Sequence, residues 1–157
     1  MQPTASETPK TEAISVDLFR SARRSEGLVA RWSDDKLRRE IVRYERFLRM
    51  AARHPGASVA PTRDIDEIWH IHMQHPRAYA ADCQRLFGGI FDHDGGFGST
   101  PEELPLLKQI FARTEAMWVA EYGEPYVQHS EHPQVTNCWH DCVGRCWHRC
   151  ASKSWAR

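Results

Sequence analysis

Two stretches of the chain carry the residues that can do chemistry. The first, PTRDIDEIWHIHMQHPRAYAADCQRLFGGIFDHDGG from Pro61 to Gly96, holds His70, His72, His75 and His93, four of the nine histidines. On a helix turning about 100° per residue, Asp66 and His70 fall about 40° apart, an i,i+4 pair able to share a metal ion or a hydrogen bond. His72 falls about 200° from His70, on the apolar side among Ile65, Ile68 and Trp69. A straight helix therefore cannot chelate one ion with both histidines of the WHxH unit. Either the helix distorts there or the two histidines have different jobs. The candidate centre is Asp66 and His70 joined by His93 from the loop after the next helix, with His72, Asp82 or Cys83 completing or supporting it. Imidazole plus carboxylate suits zinc or non-haem iron, and such ligands need outer partners to fix the ring tautomer. The competing reading makes His72 a core histidine bonded to a backbone carbonyl and Asp66–His70 an ordinary helix-face pair.

The second stretch is the C-terminal tail. Cys138-Trp-His-Asp-Cys142 and Cys146-Trp-His-Arg-Cys150 are two copies of CWHxC, eight residues apart, and use four of the five cysteines. On a straight helix the four sulfurs would drift about 40° per step and span about 18 Å. One tetrahedral ion with bonds of about 2.3 Å cannot gather them from such a helix. Either the chain reverses at Val143-Gly144-Arg145 so that both pairs close on one Zn²⁺ or Cu(I), or each pair binds separately or is completed by another chain. Cysteines at i,i+4 on one helix make poor disulfides, because their Cβ vectors run nearly parallel. The spacing is not the two-residue knuckle of common zinc modules either. The alternative is an amphipathic tail whose Trp and Cys side chains pack on a protein partner.

Other classes of function find less support. Lys+Arg and Asp+Glu both total 21, so bulk charge gives no reason to expect a nucleic-acid or membrane partner. Gly95-Gly-Phe-Gly98 lacks the preceding strand and following lysine of a phosphate loop, so no nucleotide cofactor is expected. Cys83 shares a register with Tyr79 and Leu86 on an apolar face, where cysteine is usually inert. Arg38, Arg39, Arg43, Arg46, Arg49 and Arg53 are interleaved with acids and read as a solvated helix face. The polar start of the chain has no secretory apolar run, and no stretch approaches the roughly 18 apolar residues of a membrane span. A cytoplasmic location is therefore expected, where thiols stay reduced and clustered cysteines favour metal or redox chemistry.

The elements that must position these residues read as helices. The first is expected over Ser15–Ala30, with Gly27 weakening its periodicity. Ser33 before Asp34 and Asp35 is an N-terminal signature, followed by a stripe of Leu37, Ile41, Tyr44, Leu48 and Ala51 up to Pro55-Gly56. Pro61-Thr62 opens a third helix, from Arg63 to about Gln74. Pro76 begins a fourth that ends at Gly88-Gly89. Thr100-Pro-Glu-Glu103 is a capping box for the last, which runs to Gly123. No segment alternates with period two. The fold class is all-α, a compact bundle of four to five helices. Residues 1–13 read as a disordered N-terminus, 14–127 as the helical domain, 128–136 as a linker and 137–157 as the Cys/Trp/His-rich tail.

Pro61, Asp66, Trp69-His70, His72, Pro76, Tyr79, Asp82-Cys83, Gly88 and His93 form a pattern that resembles the glycine-rich domain-containing protein-like family. The likeness extends back to Tyr44-Glu-Arg-Phe-Leu48 and forward through Thr114 to Tyr122-Gly-Glu-Pro125, covering Leu37 to Tyr126. It implies an α-helical domain and assigns no biochemical activity. Short bacterial members of this family often end in Gly/Cys tails with cysteine at every fourth position. This tail keeps the cysteine phase but has Trp, His and Arg where glycine is usual.

The leading expectation is a small cytoplasmic metal-binding protein with a metal-handling or interaction role. It would use the tail thiolates Cys138, Cys142, Cys146 and Cys150 (Zn or Cu(I)), and the Asp66/His70/His72/His93 segment (Zn or Fe). One alternative is a metal-dependent enzyme with Asp66, His70 and His93 as its active site. Another is a non-catalytic adaptor whose tail docks a protein partner.

Overall fold

The computed structural model describes residues 14–128 and 150–151. The N-terminal segment 1–13, nearly all of the linker and the CWHxC repeats up to residue 149 lie outside the described residues. Among the described residues there are five α-helices: α1 (Leu18–Arg23), α2 (Asp34–Arg53), α3 (Arg63–Met73), α4 (Pro76–Phe87) and α5 (Glu103–Tyr122). A two-residue strand β1 (Asp94–Gly95) pairs antiparallel with β2 (Cys150–Ala151). The expected all-α class holds. No helix among the described residues is long and apolar enough to cross a membrane.

The start signals that the sequence announces for α2, α3 and α4 do their work, whereas α5 begins only at Glu103, with Glu102 as its N-cap and no side-chain cap bond. Ser33 accepts a hydrogen bond from the Lys36 amide at 3.2 Å and starts α2. Thr62 accepts from the Ile65 amide at 3.4 Å and starts α3. Pro76 opens α4, and Gly88, at φ 73°, ends it in the left-handed conformation that favours glycine. Thr100 accepts from the Glu103 amide at 3.2 Å. Glu103 does not return to Thr100 but accepts from the Gly98 amide at 3.0 Å, drawing the preceding loop onto the start of α5.

Two expectations need correction. The helix over Ser15–Ala30 is broken: α1 stops at Arg23, and a single 3-10 turn covers Leu28–Arg31. Ser25 bonds back to the Ala22 carbonyl through both its amide and its hydroxyl, terminating α1. Arg23 then reaches across to the carbonyls of Ala30 and Trp32, at 3.0 and 2.7 Å, and to the Asp34 carboxylate. The second correction concerns α2, whose arginines are not all on a solvated face. Arg43 is 2% exposed, pairs with the buried Glu40 at 2.7 Å, and donates to the Tyr126 carbonyl. Glu40, Arg43, Phe47 and Met50 form a second buried stripe beside the expected one, because α2 is covered on two sides.

The main core gathers Leu37, Tyr44, Phe47, Leu48, Ile65, Ile68, Trp69 and Trp118, all fully buried. With α3 packed along α2 and α4 turning back from Pro76, α3 is buried along most of its length, with Arg63 exposed and His70 and Met73 partly so. The chain beyond α5 is tied down by Tyr126, which donates to the Ala60 carbonyl at 2.8 Å. This frame holds α3 and the α4–β1 loop at fixed relative positions.

Candidate metal centre

Helix α3 presents Asp66 and His70 one turn apart, as their spacing predicts. The third group arrives from the loop after Gly88, and an aromatic stack sets where it lands. Phe91 lies parallel to Trp69 with ring centroids 5.0 Å apart, and parallel to Phe87 at 4.4 Å. The Trp69 indole donates to the Tyr79 hydroxyl at 2.9 Å, and Tyr79 in turn donates to the Phe91 carbonyl. With Phe91 held in this way, the His93 ring stands edge-on to Trp69 at 4.4 Å.

His93 Nε2 is then 2.9 Å from Asp66 Oδ1 and 3.0 Å from His70 Nε2. His70 Nε2 is 3.7 Å from Asp66 Oδ2. The three potential ligand atoms all lie within 4.8 Å of one another. Donors bound at about 2.1 Å would stand about 3.0 Å apart at right angles and about 3.4 Å apart at the tetrahedral angle. The two separations to His93 match the right-angle value, and the His70 separation, to the other carboxylate oxygen, is wider than the tetrahedral one. Protons alone satisfy the cluster poorly. If His93 Nε2 carries a proton for Asp66, His70 Nε2 can only share that same proton as a second acceptor. If it carries none, its lone pair faces a carboxylate. One cation bonded to all three lone pairs removes that conflict.

The Asp66 and His93 side chains are only 5% and 4% exposed, whereas that of His70 is 27% exposed, so the cluster opens to solvent at His70. Burial pushes the His70 pKa down; the Asp66 charge opposes this and His93 reinforces it. The neutral imidazole is the form that binds metal.

His72 does not join this group. It is fully buried on the opposite side of α3, with Nδ1 2.9 Å from the Tyr44 hydroxyl and Nε2 3.1 Å from Asp82 Oδ2. The anticipated backbone carbonyl is thus replaced by two side chains. Asp82 also accepts from the Ser15 amide at 2.8 Å, the Ser15 hydroxyl at 3.1 Å, and Arg85. Burial pushes Asp82 up, but these hydrogen bonds and the nearby imidazole outweigh it and hold the carboxyl below its usual range. Asp82 therefore supports His72 and not the metal cluster. Cys83 is 2% exposed and burial raises its thiol pKa, consistent with an inert core cysteine. Of the tail ligands, Cys138, Cys142 and Cys146 lie outside the described residues, and Cys150 is placed by its backbone alone. Tyr79 and Phe91 position His93; Tyr79 stands in the family pattern without this role, and Phe91 is a site residue that the sequence pattern does not single out.

Fold and cluster together define an all-α domain carrying one carboxylate and two imidazoles at a single point. The family model described as glycine-rich domain-containing protein-like matches residues 2–82, just over half of the chain, and the chain belongs to that family. The match includes Asp66, His70 and His72 and ends before His93. Among curated proteins the chain is 32% identical over 101 residues to Glycine-rich domain-containing protein 1 of Arabidopsis thaliana. It is 31% identical over 98 residues to Glycine-rich domain-containing protein 2 of the same plant. Each alignment covers 60% of this chain but 12% of the relative, so the likeness concerns a small part of those longer proteins. No solved structure matches the chain significantly.

Proposed function

We propose that this protein binds a divalent transition-metal ion through Asp66, His70 and His93, and serves in metal handling. The observation that carries the reading is the convergence of three ligand atoms from two separate elements within 4.8 Å. Two imidazoles and one carboxylate suit zinc or iron(II) better than calcium or magnesium, which prefer oxygen ligands. Three protein ligands leave at least one coordination position unfilled, and the exposed edge at His70 gives solvent access to it. Structural zinc sites are normally closed by four protein ligands, so an open triad fits an ion that exchanges or meets a further ligand.

The same opening supports a second reading, a metal-dependent enzyme in which the free position binds water or oxygen. The triad matches the two-histidine, one-carboxylate set of non-haem iron sites. What separates the readings is turnover, for which the arrangement of residues supplies no substrate. The adaptor reading and a cytoplasmic location stay open beside both.

The deciding experiment is metal analysis of full-length protein, purified anaerobically, beside the full-length His70→Ala and His93→Ala variants. About one zinc or iron per chain, lost in both variants, is expected. Absence of stoichiometric metal under metal-replete conditions, or equal loading of the variants, would overturn the assignment.

A further inference from the structure

Two groups in the core have no part in holding a metal ion, yet stand between the two histidine clusters: the Trp69 indole and the Tyr44 hydroxyl. Trp69 is fully buried and touches both sides. Its ring centroid lies 4.4 Å from that of the edge-on His93 and 6.5 Å from that of Tyr44, itself fully buried. The chain has four tyrosines, and their hydroxyl partners differ in kind. Tyr79, Tyr122 and Tyr126 donate to the main-chain carbonyls of Phe91, Arg46 and Ala60, which are too weakly basic to take the proton. Tyr44 donates to an imidazole, at His72 Nδ1, 2.9 Å away. The other ring nitrogen of His72 carries its proton towards Asp82, 3.1 Å away, so Nδ1 keeps a lone pair for the phenol.

Resting on the metal-centre reading above, with iron(II) as the ion and a peroxide as co-substrate, we propose that Tyr44 is redox-active. It yields an electron through Trp69 to the oxidised metal centre and its proton to His72, and stores the oxidising equivalent as a neutral tyrosyl radical. The step balances. Hydrogen peroxide takes two electrons as its O–O bond breaks, one from iron and one from Tyr44. One oxygen stays as hydroxide on iron(III). The other leaves as water, with a proton drawn from solvent at the open edge beside His70, while the Tyr44 proton remains on His72. The imidazolium formed lies against the Asp82 carboxylate, so the core is left with no uncompensated charge. Trp69 has no such outlet, because its N–H faces the weakly basic Tyr79 hydroxyl. An oxidising equivalent that reaches Trp69 therefore passes on to Tyr44, where burial shields it from solvent.

The full-length protein is loaded with iron(II) under anaerobic conditions, mixed with hydrogen peroxide and frozen at once. Its electron paramagnetic resonance spectrum is recorded beside its iron content. A tyrosyl signal is expected, narrowed when the protein is made with ring-deuterated tyrosine. Tyr44→Phe should hold the same iron and lose the signal, whereas Tyr122→Phe should keep both. His72→Gln, which can accept the phenol hydrogen bond but not the proton, should hold iron and give less radical. The proposal is overturned if the iron-loaded wild type gives no tyrosyl signal, or if the signal persists in Tyr44→Phe. It is overturned equally if His70→Ala, given the same iron and peroxide, forms the same radical, since the oxidant would then come from solution. Failure of the underlying metal centre looks different, and the proposal falls with it: before any peroxide is added, the wild type would hold no more iron than His70→Ala.

Discussion

His70 and His72 leave α3 two residues apart and enter opposite environments. His72 has a partner for each ring nitrogen. Tyr44 donates to Nδ1, and Nε2–H donates to Asp82, itself anchored by Ser15 and Arg85. One tautomer satisfies every group, and Tyr44, His72 and Asp82 are all buried. His70 and His93 instead direct their Nε2 atoms and the Asp66 carboxylate at a shared point, where one proton on His93 Nε2 would face two acceptors. Polar groups buried and matched in number to their partners hold a fold together. Groups convergent, mismatched and open on one side are arranged for something that is not part of the chain. The contrast between the two clusters, more than the presence of histidine, separates scaffold from site.

The largest effect should come from the closed cluster. Asp82→Ala leaves His72 without its acceptor inside the core and frees Ser15 from its anchor. A loss of about 3–5 kcal/mol of stability is expected, as for other broken buried networks, read from urea unfolding of the metal-free protein. The pH dependence sharpens this. Because the folded environment holds the Asp82 carboxyl below its usual range, its contribution is fully present above the unfolded value of about 3.9 and disappears as pH falls through the lower folded value. The stability gap between the wild type and Asp82→Asn should therefore narrow as pH drops from 7 towards 3. A gap that stays constant over that range would show that the carboxylate charge contributes nothing to folding.

Tyr44→Phe is the milder intervention on the same cluster. It keeps the ring, fully buried against Trp69 with centroids 6.5 Å apart, and removes only the hydroxyl bonded to His72. A cost of about 1–2 kcal/mol is expected, with metal stoichiometry unchanged. Loss of metal from this variant would mean that the two clusters are coupled through α3 and would break the distinction drawn between them.

How far the sequence foretells all this follows the range of the interactions. Helices α2, α3 and α4 are legible because their signals are local: Ser33 and Thr62 at N-caps, Pro76 at a first turn, Gly88 just past an end. Asp66 and His70 are legible for the same reason, one turn apart on one helix. That His72 faces away follows from the angle alone, but its partners do not. Tyr44 lies 28 positions earlier on α2, and Ser15 meets Asp82 across 67 positions. Arg43 defeats the sequence reading because the apolar pattern of α2 marks a single stripe. Tyr126 and Trp118, with Arg43 5.8 Å from the Trp118 ring, cover its second side, and nothing local announces that cover. His93 lies between these cases. Its residue type and loop position nominate it, whereas the Trp69–Phe91–Phe87 stack that delivers it is a tertiary fact.

The smallest effect on folding should come from the group that matters most to the site. His70 has a side chain 27% exposed, and burial already disfavours its charged form. In the metal-free chain its Nε2 contributes one member of a contact in which a single proton must serve two neighbours. Removing that ring forfeits some packing against His93, 4.7 Å away between centroids, but also relieves the mismatch. His70→Ala should therefore change metal-free stability by no more than about 1 kcal/mol. The response to metal should change far more. An ion that binds the folded chain alone, at 1,000 times its dissociation constant, stabilises it by about 4 kcal/mol. The wild type should show a rise of that order in thermal or urea unfolding with zinc, and His70→Ala should show little or none. If His70→Ala unfolds the metal-free chain as severely as Asp82→Ala does, then His70 is scaffold like His72. The difference between the two histidines would then be one of exposure only.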